Sequence, residues 1–232
     1  VDALVMCGGR GTRLGAVGDG SEKPLVEVGD IPMVDRVLDA LAGSRVEGVH
    51  AVVSPHTPAT ARHLIGRDDL TVIEAPGNGY VSDLGYALER IDRPVLTVAS
   101  DLPLLTAEVV DRALDAATGD TGDAVAADGA GVGTADGAAA SLAVYVPVDR
   151  KREVGASVDE RTTTVDGREV VPTGLNVVGD EDGEPVDESA LVVAGEGLAV
   201  NANRPRDLRV AEALLHRQRE GTEISPDHGD HP

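Results

Sequence analysis

The chain has one cysteine, no tryptophan, no phenylalanine and three tyrosines in 232 residues. A single thiol, Cys7, excludes an internal disulfide and any metal site built from several cysteines. It follows a short apolar run and reads as a small buried hydrophobe, because no histidine-rich segment offers the partner that a catalytic thiol needs. With only three aromatic residues, all Tyr, the chain offers little platform for stacking single-stranded bases. No apolar run is long enough to cross a bilayer. The opening Val1 to Met6 lacks a preceding positive charge and runs straight into Gly8-Gly9. It therefore reads as the start of a cytoplasmic chain rather than a secretory signal. Lysine is nearly absent too: Lys23 and Lys151 are the only two, and arginine supplies the other 18 basic residues.

Acid is what the chain has in excess. Against 20 basic residues stand 41 acidic ones, a formal net charge of −21. Such a surface repels nucleic acid and anionic membranes, so neither is expected as a partner. Abundant carboxylates with little lysine and few aromatics point to a protein adapted to high salt, where screening tames self-repulsion. Any polyanionic ligand must then be held by local cations, backbone amides and a metal ion.

Along the first half, Ala3 to Met6, Val49 to Val53, Thr71 to Glu74 and Val95 to Ala99 are short, Val-rich and bounded by turn residues, the marks of buried parallel strands. Between them Met33, Val34, Val37, Leu38 and Leu41 recur at helical spacing. Thr57-Pro58 reads as an N-cap followed by proline at the first helical position, opening a helix to Ile65. Thr106 reads as the cap of a helix with Val109, Val110, Ala113 and Leu114 inward. This alternation predicts an α/β fold with a doubly wound, mostly parallel, Rossmann-like sheet. Ligands of such sheets sit beyond the carboxyl ends of the strands.

The second half is less regular. Thr118 to Ala140 is a Gly/Ala/Asp/Thr tract around a short strand at Ala124 to Ala127, and Ser141 to Val146 reads as a strand. Arg150 to Gly167 reads as a charged loop and Asp180 to Glu188 as an acidic surface turn. Pro205 to Arg217 patterns as a terminal helix. One domain over residues 1–217 is expected, with 218–232 a disordered tail; the His228 to His231 run reads as part of that tail rather than a metal site.

Directly after the first strand stands Gly8-Gly9-Arg10-Gly11-Thr12-Arg13-Leu14. A P-loop would need Lys-Ser or Lys-Thr after its second glycine, and the dinucleotide fingerprint a third glycine where Leu14 stands. The loop instead offers glycine amides, one hydroxyl and two guanidiniums, which suits a phosphate chain. Arg13 has the fork to span two phosphate oxygens. Ten residues beyond Arg13 comes Glu22-Lys23-Pro24-Leu25, where proline stiffens the chain next to the lysine. Later an apolar strand ends in Ser100-Asp101-Leu102-Pro103, placing a carboxylate at the ligand edge of the sheet. Such a carboxylate suits Mg²⁺, a hard ion bound through one or two carboxylates and substrate phosphates. Taken singly, each feature also has a structural reading: a glycine turn, a solvated lysine, a turn-capping aspartate.

In this order the three segments resemble the nucleotidyltransferase superfamily, which includes sugar-1-phosphate transferases and molybdenum-cofactor guanylyltransferases. The resemblance implies that Gly8, Gly9, Gly11, Thr12, Arg13 and Lys23 bind the triphosphate, that Arg13, Lys23 and Asp101 are catalytic, and that Asp101 binds Mg²⁺. Asn201-Ala202-Asn203 resembles the late Asn-x-Asn element that completes the metal site through Asn203, although Arg204 stands where that family has threonine. Three further segments, Ser54-Pro55-His56-Thr57-Pro58, Pro76-Gly77-Asn78-Gly79-Tyr80 with Asp83-Leu84, and Pro172 to Val178, are similar to the archaeal GTP:adenosylcobinamide-phosphate guanylyltransferases. That likeness implies GTP and adenosylcobinamide phosphate as substrates, guanosine held near Ser54, Gly77 and Gly79, and an acceptor side near Gly174 and Asn176. By residue pattern alone these segments are turns and a helix entry, and His56, the nearest candidate acid or base by sequence, reads rather as a surface residue at that entry. The sequence leaves a homodimer open. The alternatives are a molybdenum-cofactor or sugar-1-phosphate transferase and, from another class, a non-catalytic nucleotide-binding regulatory domain.

Overall fold

The Val-rich runs at 3–6, 49–53 and 95–99 become strands because their alternate side chains are buried on opposite faces of one sheet, and the run at 71–74 adds its half-exposed edge. The computed structural model describes residues 1–9, 11, 14, 21–119, 125–126, 139–158, 161–179 and 189–223. Strands β1 (Asp2–Met6), β2 (Val49–Val53), β3 (Thr71–Glu74) and β4 (Val95–Ala99) lie in the order β3-β2-β1-β4, all parallel. Their bounds match the sequence reading to within one residue. Helices α1 (Met33–Ala42), α2 (Pro58–Leu64), α3 (Tyr80–Leu88) and α4 (Ala107–Thr118) make the crossovers. Ala3, Val5 and Cys7 pack with Val34, Val37 and Leu41 of α1 and with Val110 and Ala113 of α4. Leu4 and Met6 face the other way, toward Ala87 and the partly buried Leu84 of α3. Since β2 and β3 lie on one side of β1 and β4 on the other, the winding reverses between β1 and β4. That reversal opens a crevice at their carboxyl ends.

Past β4 the sheet becomes mixed. Added to it are β5 (Val125–Ala126), β6 (Leu142–Pro147), β7 (Thr163–Val165), β8 (Arg168–Val178) and β9 (Ser189–Val192), nine strands among the described residues. The long β8 runs antiparallel to both β4 and β6, and β9 is parallel to β6. Helices α5 (Val148–Val154), α6 (Glu196–Ala199) and α7 (Pro205–Glu223) complete the second half. Leu208, Ala211 and Leu214 of α7 share a core with Val26, Val28, Met33 and Ala202, which fastens the Asn201–Asn203 loop to the chain following Lys23.

Several expectations are corrected. Arg150 to Gly167 is not a loop throughout: it holds most of α5 and all of β7. Helix α7 continues six residues past Arg217, into the stretch expected to be a tail. Thr106 does cap α4, accepting from the Val109 amide at 3.4 Å. Thr57 does not cap α2, because its hydroxyl is engaged with the backbone of Ser54 at 3.2 Å. The Glu22 carboxylate caps α2 instead, accepting from the Ala59 and Thr60 amides and the Thr60 hydroxyl, each at 2.7 Å. Pro58 has no N–H to offer, so the carboxylate takes the next two amides. Arg10, Thr12, Arg13, the acidic turn over 180–188, most of the 118–140 tract and the chain from 224 onward lie outside the described residues.

Candidate active site

The crevice between β1 and β4 holds a cavity of about 550 Å³. Gly8 and Gly9 reach it from β1, Lys23 and Pro24 from the turn ahead of α1, and Ala99, Ser100 and Asp101 from the end of β4. His56 enters from the start of α2, while Gly77, Gly79, Tyr80 and Asp83 come from the start of α3. The structure thus brings together Gly8, Gly9, Lys23, Gly77, Gly79 and Asp101, the first and last of them 93 positions apart in sequence.

The remaining expected residues stand around this group. Ser54 is 5% exposed and lies behind the wall. Its hydroxyl donates to the Gly8 carbonyl at 3.0 Å and accepts the His56 amide at 3.2 Å, tying two loops of the cavity together. Gly11 has φ +60°, and a Cβ there would stand 2.7 Å from the Cβ of Lys23. Glycine is what lets the loop cross the lysine this closely. Gly174, with φ +84°, sits in an irregular part of β8 where an added Cβ would meet that of Ala99 at 3.0 Å. Asn176 is not among the described residues that line this cavity. It pairs with Thr97 inside the sheet, its amide 3.5 Å from the Thr97 hydroxyl.

At the centre Lys23 forms an ion pair with Asp101 Oδ2, and its ammonium donates to Asn203 Oδ1 at 2.6 Å. Asp101 is 8% exposed, and its Oδ1 is buried with no hydrogen-bond partner among the described residues. An orphaned carboxylate oxygen on a cavity wall is costly unless a ligand completes it. Mg²⁺ fits there, since the ion binds through few carboxylates and finishes its shell on phosphates and water. Among the described residues no group of three acidic, histidine or cysteine side chains forms a self-sufficient metal cage. Asn203 Oδ1 already accepts from Lys23, which leaves its second lone pair for any metal.

Sequence reasoning missed several parts. Asp83, 4% exposed, accepts from the Gly77 and Asn78 amides at 2.9 and 3.2 Å and so shapes the Gly-Asn-Gly turn. Glu22, by capping α2, anchors the residue next to Lys23. His56 is a cavity residue, its Nε2 3.1 Å from the Gly77 carbonyl oxygen. Tyr80 is half exposed as a residue, but loss of water around its hydroxyl end and the negative charge of Asp101 raise its pKa, partly offset by a hydrogen bond from the Thr97 side chain. Cys7 is inert, as expected: burial pushes its thiol up to about 12, with a smaller opposing effect from Ser100. Lys151, 2% exposed, lies near the same crevice and donates to Asn201 Oδ1 at 3.1 Å. The scarcity of lysine, which drew attention to Lys23, was equally a signal for Lys151.

A glycine turn, a lysine and a strand-end aspartate meeting at the switch point of an α/β sheet define a nucleotidyltransferase. In agreement, the MobA-like NTP transferase domain matches residues 3–134, more than half of the chain, and the protein belongs to that family. Relatives extend the likeness beyond the domain. Adenosylcobinamide-phosphate guanylyltransferase of Methanocaldococcus jannaschii is 29% identical over 93% of this chain and 97% of its own. 2-C-methyl-D-erythritol 4-phosphate cytidylyltransferase of Frankia casuarinae is 32% identical over 94% of this chain and 82% of its own. Among solved structures, a putative glucose-1-phosphate thymidylyltransferase from Bacillus anthracis superposes with TM-score 0.63 at 12% identity, covering 99% of this chain and 97% of that one. A hypothetical transferase from Thermus thermophilus gives TM-score 0.51 at 20% identity over 77% of this chain, which spans 65% of that structure. These two structural likenesses concern the fold alone. No helix among the described residues is long and apolar enough to cross a membrane.

Proposed function

We propose that the protein transfers GMP from GTP to adenosylcobinamide phosphate, forming adenosylcobinamide-GDP and releasing pyrophosphate. The observation that carries the transfer chemistry is the Lys23–Asp101 pair, with the unsatisfied Asp101 Oδ1, set in the crevice between β1 and β4. The acceptor's identity is supported by the Methanocaldococcus jannaschii relative, whose likeness runs through the second half of the chain as well as the first.

In the reaction an oxygen of the acceptor phosphate bonds to the α-phosphorus of GTP as the bond to the β-phosphate bridging oxygen breaks. The attacking oxygen is already anionic at neutral pH, so positioning and charge neutralisation carry the rate rather than a strong general base. Gly8 and Gly9 give the phosphates room for close approach to the backbone. Lys23, pre-positioned by its neighbour Glu22 and by Asn203, offsets charge growing on the α-phosphoryl group and the leaving pyrophosphate. Arg13 would add a forked cation from the same loop. Mg²⁺ held by Asp101 would supply further neutralisation across the phosphate oxygens. The Gly77–Gly79 turn, braced by Asp83, presents backbone amides and carbonyls for reading a base.

A second reading, cytidylyl transfer to a small sugar phosphate, is favoured by the 32% identity to the Frankia casuarinae protein. One experiment separates the two. Each of four nucleoside triphosphates is incubated with adenosylcobinamide phosphate or 2-C-methyl-D-erythritol 4-phosphate, and pyrophosphate release is followed. Turnover concentrated in the GTP–adenosylcobinamide phosphate pair is the expected result. Equal use of ATP and GTP would remove the guanosine assignment, and turnover of only CTP with the sugar phosphate would replace the reading altogether.

A further inference from the structure

A second carboxylate faces the nucleotide cavity, and the transfer chemistry leaves it without a task. Asp83, in the first turn of α3, is 4% exposed and lines the cavity beside Gly77, Gly79 and His56. Its hydrogen bonds among the described residues both end on Oδ1, from the Gly77 amide at 2.9 Å and the Asn78 amide at 3.2 Å. Oδ2 takes no hydrogen bond among the described residues, yet it is not sealed in the interior as Asp101 Oδ1 is. It opens into the cavity next to Gly8, where an added Cβ would stand 3.6 Å from it. Glycine at that position leaves the oxygen uncovered. The cations Lys151, Arg161 and Arg204 line a neighbouring cavity of about 1150 Å³, across the Asn78–Tyr80 strip that the two cavities share. No basic side chain forms an ion pair with Asp83 among the described residues, so its charge is not there to balance a cation. A bare carboxylate is also a poor neighbour for phosphates, which carry the same sign. Lys23 and the glycine loop mark the phosphate end of the cavity, at β1 and β4. The end that Asp83 occupies, past β2 and β3, is left for the nucleoside.

Taking the guanylyltransferase reading as its premise, we infer that Asp83 selects the base, with Oδ2 accepting hydrogen bonds from N1–H and the 2-amino group of guanine. Those two donors lie side by side on one edge of guanine. Adenine offers an acceptor nitrogen and a C–H at the same place, so the carboxylate would lose its water there and gain no partner. Cytosine has one amino donor flanked by an acceptor nitrogen, half of the match. The two oxygens of Asp83 then divide the work. Oδ1 holds the turn at Gly77 and Asn78, and Oδ2 reads the base lying against that turn, so brace and reader stay in register. Ribose hydroxyls are donors as well, and the test separates them from the base.

Calorimetric nucleotide binding to the full chain, with no acceptor present, tests this apart from the overall reaction. ITP lacks only the 2-amino group, and the wild type should bind it roughly tenfold or more weakly than GTP, the loss of one charge-assisted contact. Binding of 2′-deoxy-GTP should stay within about threefold of GTP, since no ribose contact is lost to Asp83. Asp83→Asn keeps an oxygen for the two amides and puts an N–H where Oδ2 was. It should weaken GTP by roughly tenfold or more and tighten XTP, which has a carbonyl in place of the 2-amino group, by a similar factor. A merely structural brace would weaken GTP and XTP together. Equal binding of GTP and ITP by the wild type, a loss with 2′-deoxy-GTP instead of ITP, or a variant that weakens GTP and XTP alike overturns the inference. The wild-type comparisons decide it even if the variant does not fold. Failure of the guanylyltransferase reading looks different: GTP would still be preferred to ITP, but no pyrophosphate would appear with adenosylcobinamide phosphate. A wild type that prefers CTP to GTP overturns both.

Discussion

The two adjoining cavities are built from different materials. The nucleotide cavity is largely backbone: Gly8, Gly9, Gly77 and Gly79 line it, and among its described residues Lys23 is the one cation of fixed charge. The second cavity is largely side chain, with three cations projecting from α5, from the chain before β7 and from the turn into α7. A wall made of glycine turns tolerates little substitution, because the conformation itself is the binding surface. Cations on separate elements can be exchanged one at a time, so the character of the second cavity can change while the glycine-lined one stays.

The sharpest way to test that contrast is at Lys23. Lys23→Ala should lower turnover by a factor on the order of 10²–10³ while changing GTP affinity far less, because its charge is needed most as pyrophosphate leaves. Steady-state kinetics beside calorimetric GTP binding reads both; full turnover in the variant would reduce the Lys23–Asp101 pair to a structural role. Next in size, Asp101→Asn should raise the Mg²⁺ concentration for half-maximal activity by at least about tenfold, since an amide oxygen is a weaker ligand for a hard ion. An unchanged Mg²⁺ dependence would remove Asp101 from the metal.

A third test addresses the joint between the cavities. Asp207, fully buried, accepts from the Ser157 amide and hydroxyl and from the Asn203 and Arg204 amides. Asp207→Ala leaves those donors unsatisfied and should cost about 2–4 kcal/mol in denaturant unfolding. Survivors of that variant should bind GTP more weakly, because the Asn203 that Asp207 holds by its amide in turn accepts from Lys23. The smallest effect concerns Cys7. Its thiol is raised from an ordinary 9.0 to about 12, so the folded protein keeps the proton while the unfolded chain loses it. The contribution is fully present below pH 9 and is lost progressively as pH rises from there to about 12. At pH 8 a maleimide should label Cys7 only after unfolding; rapid labelling of the native protein would contradict its burial.

The half of the molecule built on backbone was the more legible in sequence. Strands β1, β2 and β4 are buried on both faces and so appear as unbroken Val-rich runs, while β3 is the half-exposed edge, and glycine turns at the strand ends announce themselves by composition. Helix α5 was missed because its inward face includes Lys151, three residues after Val148, and an apolar pattern search treats that position as a solvent face. Helix α3 was hidden in the same way, since Tyr80 and Val81 are exposed at its start while Asp83 is buried. The pairings of β8 and β9 join residues distant along the chain, and nothing local encodes them. Asn176 was placed on the acceptor side by resemblance alone; a position opposite Thr97 follows only from the register.

The wall between the cavities has its own consequence. Because Asn78, Gly79 and Tyr80 border both, the free energy of occupying one side includes whatever it costs to settle that strip of chain for the other. If GTP tightens acceptor binding by some factor, thermodynamic linkage requires the acceptor to tighten GTP by the same factor. The first turn of α3 would then act as a shared account of conformational entropy, and the order in which the substrates arrive would alter rates without altering the sum.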